Sequence, residues 1–141
     1  MSSYRHQARE VAFQFLYHLD LSQADWGEQS EGSIKRDLNL HLKHFEGPKK
    51  TQDFILTLVY GVHSHLAQID QKIKDAAKNW TIKRMSPVDL NVLRIACFEL
   101  LYVEDIPKNV SIDEAIELAK QFGSDESGSF VNGILDNIDQ L

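Results

Sequence analysis

Ser86-Pro87-Val88-Asp89-Leu90-Asn91-Val92-Leu93-Arg94-Ile95-Ala96-Cys97-Phe98-Glu99-Leu100-Leu101-Tyr102-Val103 is the most apolar stretch of the 141-residue chain. Its apolar residues fall on every side of a helical wheel, which predicts a helix surrounded by other helices rather than one lying on a surface. Ser86 is the expected N-cap, Pro87 occupies the first helical position and Asp89 stands three residues after the cap, a capping box with its proline in the preferred place. Arg94, inside the run, is expected to pair with a buried carboxylate or with helix-end carbonyls. Cys97 reads as a small core residue.

The rest of the chain arranges itself around this hub. After it, Glu104–Val110 reads as a turn on Ile106-Pro107, Ser111 as the next N-cap, and Glu114 as the partner completing a second capping box. Ile112, Ala115, Leu118, Ala119 and Phe122 form one stripe, Gly123 stops the helix, and Ser124–Ser127 restart the chain into a last helix carrying Phe130, Val131, Ile134, Leu135 and Ile138. Asp113–Glu117 and Asp125–Glu126 are placed in the first turns of these helices, where they complement the helix dipole.

Before the hub, Tyr4–Leu19 follows the 3.6-residue period through Tyr4, Ala8, Val11, Ala12, Phe15, Leu16 and Leu19, with Arg5, His6, Arg9, Phe13 and Tyr17 on the opposite face. Ser22–Ser33 reads as a loop in which Trp26 packs back. Ile34, Leu38, Leu42 and Phe45 mark a short helix ended by Gly47-Pro48. A further pattern runs from Lys49 to Trp80, and its length favours a break near His65. With no strand alternation, the expectation is an all-α domain, 1–141, of six or seven helices.

The net charge of −6 at first argues against a nucleic-acid partner, but the charge is uneven. Glu99–Leu141 holds ten acidic residues against Lys108 and Lys120, whereas Gln71–Arg84 holds five basic residues against Asp75 alone. Screening acts over about 8 Å at physiological salt, so distant acids do little to cancel a local basic face. A single cysteine rules out an intrachain disulfide. Met1–Arg9 does not resemble a signal peptide, and Arg94 interrupts the longest apolar run, so the expected location is the cytoplasm, away from membranes.

No catalytic constellation is present: there is no phosphate loop, nucleophile elbow or Cys-x-x-Cys. His41 and His44 stand three apart in a presumed helix, yet no third ligand follows at a metal-site spacing, so no metal or cofactor is expected.

Several separated motifs together resemble the NusB family. They are Leu93-Arg94-Ile95-Ala96-Cys97-Phe98-Glu99-Leu100, Ile106-Pro107, Asp113-Glu114-Ala115-Ile116-Glu117-Leu118-Ala119-Lys120, Phe122-Gly123 and Phe130-Val131-Asn132-Gly133-Ile134-Leu135-Asp136. Arg5, Ala8-Arg9-Glu10, Ala12, Gln14 and Leu16-Tyr17 match the family's first helix, and Asp53, Leu58 and Gly61-Val62 its middle.

The resemblance implies seven helices in two packed subdomains, no enzyme activity, and a transcription antitermination factor. Such a factor binds boxA RNA together with NusE, a small-subunit ribosomal protein, and acts within the RNA polymerase antitermination complex on ribosomal RNA operons. It places RNA contacts at Arg5 and Arg9, and at Glu126 and Phe130. It places NusE contacts at Tyr17 and Asp89, while an acidic contact position of one relative is Lys83 here. Lys120, the only base near the Gly123 turn, is added as a phosphate contact. The alternative is a protein-interaction adaptor without sequence-specific RNA binding, motivated by the acidic C-terminal segment and by Phe13 and Tyr17. A homodimer is a further possible partner arrangement. A similar helical domain also begins some RNA methyltransferases, but with no cofactor-binding domain after Leu141 a free-standing factor is expected.

Overall fold

The computed structural model describes residues 3–78 and 81–139, with Lys83 and Asp139 given by their backbone only. The expected partner position at Lys83 therefore lies outside the described side chains. Seven α-helices and two 3-10 turns make up the regular structure of the described residues. There is no strand among the described residues, and no described helix is long and apolar enough to cross a membrane. The chain divides into two compact units, one ending at Ser64 and the other starting at His65.

In the first unit α1 is Tyr4–Ser22, α2 is Glu31–His41 and α3 is Lys49–Ser64, with a 3-10 turn at Trp26–Glu28. α1 packs along α3, and α2 against α3. Ser3 caps α1, its hydroxyl accepting the His6 N–H at 3.1 Å. Ser30 does the same for α2 through the Ser33 N–H, so α2 begins inside the segment expected to be loop, with Gly32 in its first turn. Trp26 is 2% exposed and its indole N–H donates to Asp20 Oδ1 at 2.5 Å, which satisfies the polar edge of a buried ring. α2 ends at His41 rather than running on to Phe45, so His41 and His44 do not share a helix. The His41 ring instead packs on Phe15, and burial, with the nearby His18, pushes its pKa down.

One long helix from Lys49 is avoided. His65, at φ −114° and ψ 20°, separates α3 from α4 at the boundary of the two units.

In the second unit α4 is Leu66–Ala76, α5 is Pro87–Tyr102, α6 is Lys108–Phe122 and α7 is Ser127–Asp139, with a 3-10 turn at Ile82–Arg84. α5 packs against α4, α6 and α7, and every residue from Leu90 to Glu99 is buried. This is the expected hub, opened as expected by Ser86, whose hydroxyl accepts the Asp89 N–H at 3.1 Å. Arg94 finds its carboxylate on α4: Nε and Nη2 donate to the two oxygens of Asp70, each at 2.9 Å. Asn91 accepts from Arg94 Nη1 at 3.2 Å and donates to the Pro87 carbonyl at 2.8 Å, so the Asn91 and Arg94 side chains occupy one another.

The α6 cap differs from expectation. The helix starts at Lys108, directly after Pro107, whose carbonyl accepts the Val110 and Ser111 N–H groups. Ser111 is inside the helix, buried, and donates its hydroxyl to Glu99 Oε1 at 2.8 Å. A buried carboxylate needs a donor, and that demand overrides the capping preference of the serine. Asp113–Glu117 consequently sit beyond the first turn, and Asp125–Glu126 precede α7.

Removing one partner of a buried ion pair leaves the other charged and stranded, at a cost of about 3–5 kcal/mol. Asp70→Ala is expected to lower unfolding free energy by about 3 kcal/mol, read as a shift of the urea midpoint with unchanged slope, and Asp70→Leu with Arg94→Met to recover most of it. Burial pushes the Cys97 thiol up to about 12, and the residue has no exposed surface. Alkylation by iodoacetamide at pH 8 should therefore wait for unfolding; rapid labelling of the native protein would contradict this packing.

Candidate nucleic-acid interface

Both units carry residues singled out by the sequence. In the first, α1 presents a wider buried stripe than the periodicity suggested. Ala8, Arg9, Ala12, Phe13, Phe15, Leu16 and Leu19 are all buried, while Tyr4 and Val11 are only half-buried. Arg9 and Phe13 were expected on the outer face, so this is a correction. Arg9 is 2% exposed, and its guanidinium lies 5.7 Å from the Phe54 ring centroid. A guanidinium can be drawn inward because its planar face stacks on an aromatic ring, which residue-by-residue polarity does not anticipate. Arg5 is half-buried, with its guanidinium 5.6 Å from the Tyr4 ring and 5.4 Å from Phe54. Tyr17 is half-buried and stacks on Phe13 at 5.9 Å.

In the second unit, the N-terminal ends of α5 and α7 enclose a cleft of about 150 Å³, lined by Arg84, Ser86, Asp89, Ser124, Glu126 and Phe130 among others. Three of the expected site residues, Asp89, Glu126 and Phe130, are thus brought to one place. Phe130 is half-exposed, whereas Val131, Ile134, Leu135 and Ile138 from the same helix are buried. The cap uses the Asp89 backbone N–H but not its carboxylate, whose Oδ1 is shielded from water and has no hydrogen-bond partner. The helix cap therefore does not commit the Asp89 carboxylate. Lys120 is exposed, and its stem runs along the first turn of α7: a Cβ on Gly128 would stand 3.2 Å from Lys120 Cγ.

The sequence points to Ser124–Ser127 as a helix start whose amides can meet RNA phosphates, and Ser124 and Ser127 do line this cleft. The lining role of Arg84 has no signal in the sequence beyond the basic run Gln71–Arg84. The turn before α7 depends on Gly123. Its backbone is extended (φ −104°, ψ −162°), so no left-handed conformation demands glycine. The demand is space: a Cβ would lie 2.3 Å from Ser127 Oγ and 2.8 Å from the Ala119 carbonyl. The Ser127 hydroxyl in turn accepts the Ser124 N–H at 3.0 Å and fixes the loop beside the cleft.

The model of the NusB family matches residues 6–140. The chain belongs to the NusB family. The transcription antitermination protein NusB of Geotalea uraniireducens (strain Rf4) is 45% identical, over all of this chain and 97% of that protein. Among solved structures, NusB of T. maritima is 36% identical with a TM-score of 0.83, over 99% of this chain and 93% of that one. A chain in the crystal structure of the antitermination factors NusB and NusE in complex with dsRNA is 26% identical, with a TM-score of 0.79 over 99% and 98%. The NusB-family assignment agrees with the all-α, seven-helix architecture.

Gly123→Ala should cost about 1–3 kcal/mol through overpacking, seen as a lower thermal midpoint. Adding Ser127→Ala should not restore it, because the new methyl also meets Ser127 Cβ at 2.7 Å and the Ala119 carbonyl.

Proposed function

We propose that this NusB-family chain is a non-catalytic transcription antitermination factor that binds boxA RNA together with NusE and supports transcription of ribosomal RNA operons. The observation that carries this reading is the near full-length likeness to a protein seen with NusE and RNA. Phe130 supports it, standing half-exposed in the cleft beside Glu126. An aromatic ring at the mouth of a small cleft can stack on an unpaired base. Lys120 supplies a cation for a phosphate next to it; Tyr17 in the first unit and Asp89 in the second are each a contact for NusE. Arg5 is the RNA-facing arginine of α1. Arg9, being buried, positions Phe54 and the start of α1 rather than touching a phosphate.

The burial of Arg9 also favours a second reading. It removes one of the two arginines from the surface near the N-terminus and leaves fewer cations for RNA. In that reading the chain is an adaptor that binds NusE and adds no RNA affinity of its own.

Anisotropy of a labelled boxA RNA and a scrambled control, with and without equimolar NusE, separates the two. The antitermination reading expects NusE to strengthen binding to boxA and not to the scramble. Each phosphate contact to a single strand contributes about −0.7 to the slope of log K against log salt. Arg5→Ala should make the slope shallower by that amount and Phe130→Ala should weaken binding at unchanged slope. Arg9→Ala should lower stability while leaving the slope alone. NusE binding without any gain in boxA affinity selects the adaptor.

A further inference from the structure

The N-terminal ends of α1 and α3 open onto one cleft of about 650 Å³, walled by Ser3, Tyr4, His6 and Glu10 on one side and by Lys50 and Thr51 on the other. The first N–H groups of a helix have no intrahelical acceptor and carry the positive end of its dipole. Two such ends here meet in one place. Lys50 adds a full charge. Its ammonium lies 4.9 Å from the Tyr4 ring centroid, and it makes no ion pair with a carboxylate among the described residues. Lys49 by contrast is taken up by Asp53 at 3.2 Å, and the one carboxylate on the wall, Glu10, is held by His6 Nε2 at 2.8 Å.

Helix ends and a surface lysine alone would not define a site. Thr51 does more. It has no exposed surface, it lines the cleft, and its Oγ1 has no hydrogen-bond partner in the protein. A buried hydroxyl left unpaired is costly, and a ligand acceptor entering the cleft would relieve that cost. These donors suit an anion. The Tyr4 ring, 4.9 Å from the Lys50 ammonium and 5.6 Å from the Arg5 guanidinium, adds an aromatic surface beside them. Cations and donors next to an aromatic ring fit a nucleic-acid strand better than a free anion.

We infer that this cleft seats one phosphodiester of single-stranded RNA, with Lys50 as its cation and Thr51 as its hydroxyl donor. The inference rests on the RNA-binding reading above and adds to it a contact from α3.

The test uses the full chain with NusE and a labelled boxA RNA, titrated at several salt concentrations. Lys50→Ala should make the log K–log salt slope shallower by about 0.7, and Lys50→Arg should keep it. Thr51→Val, which preserves shape, should weaken binding about tenfold, the loss of one hydrogen bond to a charged group, with the slope unchanged. Thr51→Ser should bind like the wild type. Wild-type slope and affinity in Lys50→Ala, or wild-type affinity in Thr51→Val, would overturn the phosphate seat while leaving the RNA-binding reading intact. Failure of the wild type to bind RNA with or without NusE overturns both.

Discussion

The pair between Arg94 and Asp70 fixes the second unit. A guanidinium placed in the middle of the most apolar helix has no stable alternative to pairing, since an unpaired charge at that depth is prohibitive. The bidentate geometry permits one rotation of α5 against α4, because a planar fork matches a carboxylate in one plane. Asn91 ties the same guanidinium back to the first turn of α5 through the Pro87 carbonyl. With that rotation set, Glu99 lies where Ser111 of α6 can donate to it. Asn137 of α7 reaches the Ala76 carbonyl at the end of α4. Polar bonds thus choose among packings that the apolar side chains alone would allow.

The same logic explains what could be read from the letters. The hub, its Ser86 cap and the break near His65 follow from local rules that tertiary contacts reinforce, and of the two kinds of partner expected for Arg94 the carboxylate is the one found, on α4. The α6 cap failed because two candidate demands competed for Ser111. Capping a helix end is worth about 1 kcal/mol, whereas stranding the buried Glu99 carboxylate costs more, and only the folded chain reveals that Glu99 faces Ser111. Gly123 is the stop expected of it, since α6 ends at Phe122, and the position takes glycine because Ser127 leaves no room for a Cβ.

The candidate site was less legible than the fold. Asp89 and Phe130 stand 41 positions apart in sequence, with Glu126 between them, and the three join only when the α5 and α7 ends meet. On α1 the polarity of arginine was a poor guide to exposure. Arg9 has the length to reach Phe54 and a face that stacks there, so it behaves as part of the core, while Arg5, one turn earlier, stays half-exposed over the same ring. Lys50 and Thr51 gave no signal in sequence because their interest comes from lying opposite the first turn of α1.

These placements bear on how an acidic protein could hold an acidic ligand. The net charge of −6 is spread unevenly, and over the about 8 Å reach of unscreened charge at physiological salt only neighbours matter. Cations near the first turn of α1 are few: Arg5 and Lys50 flank Tyr4, and Arg9 is withdrawn into the core. A surface with so few phosphate contacts gains little from counterion release. Binding of the kind proposed must then draw on ring stacking at Tyr4 and Phe130 and on fixed hydrogen-bond donors, which depend weakly on salt. Such contacts reward a strand already held in the right conformation, because ordering a flexible strand consumes the gain. A second protein that fixes the strand alongside would therefore raise affinity more than added charge on this chain, which is a physical reason for the proposed factor to act as one half of a pair.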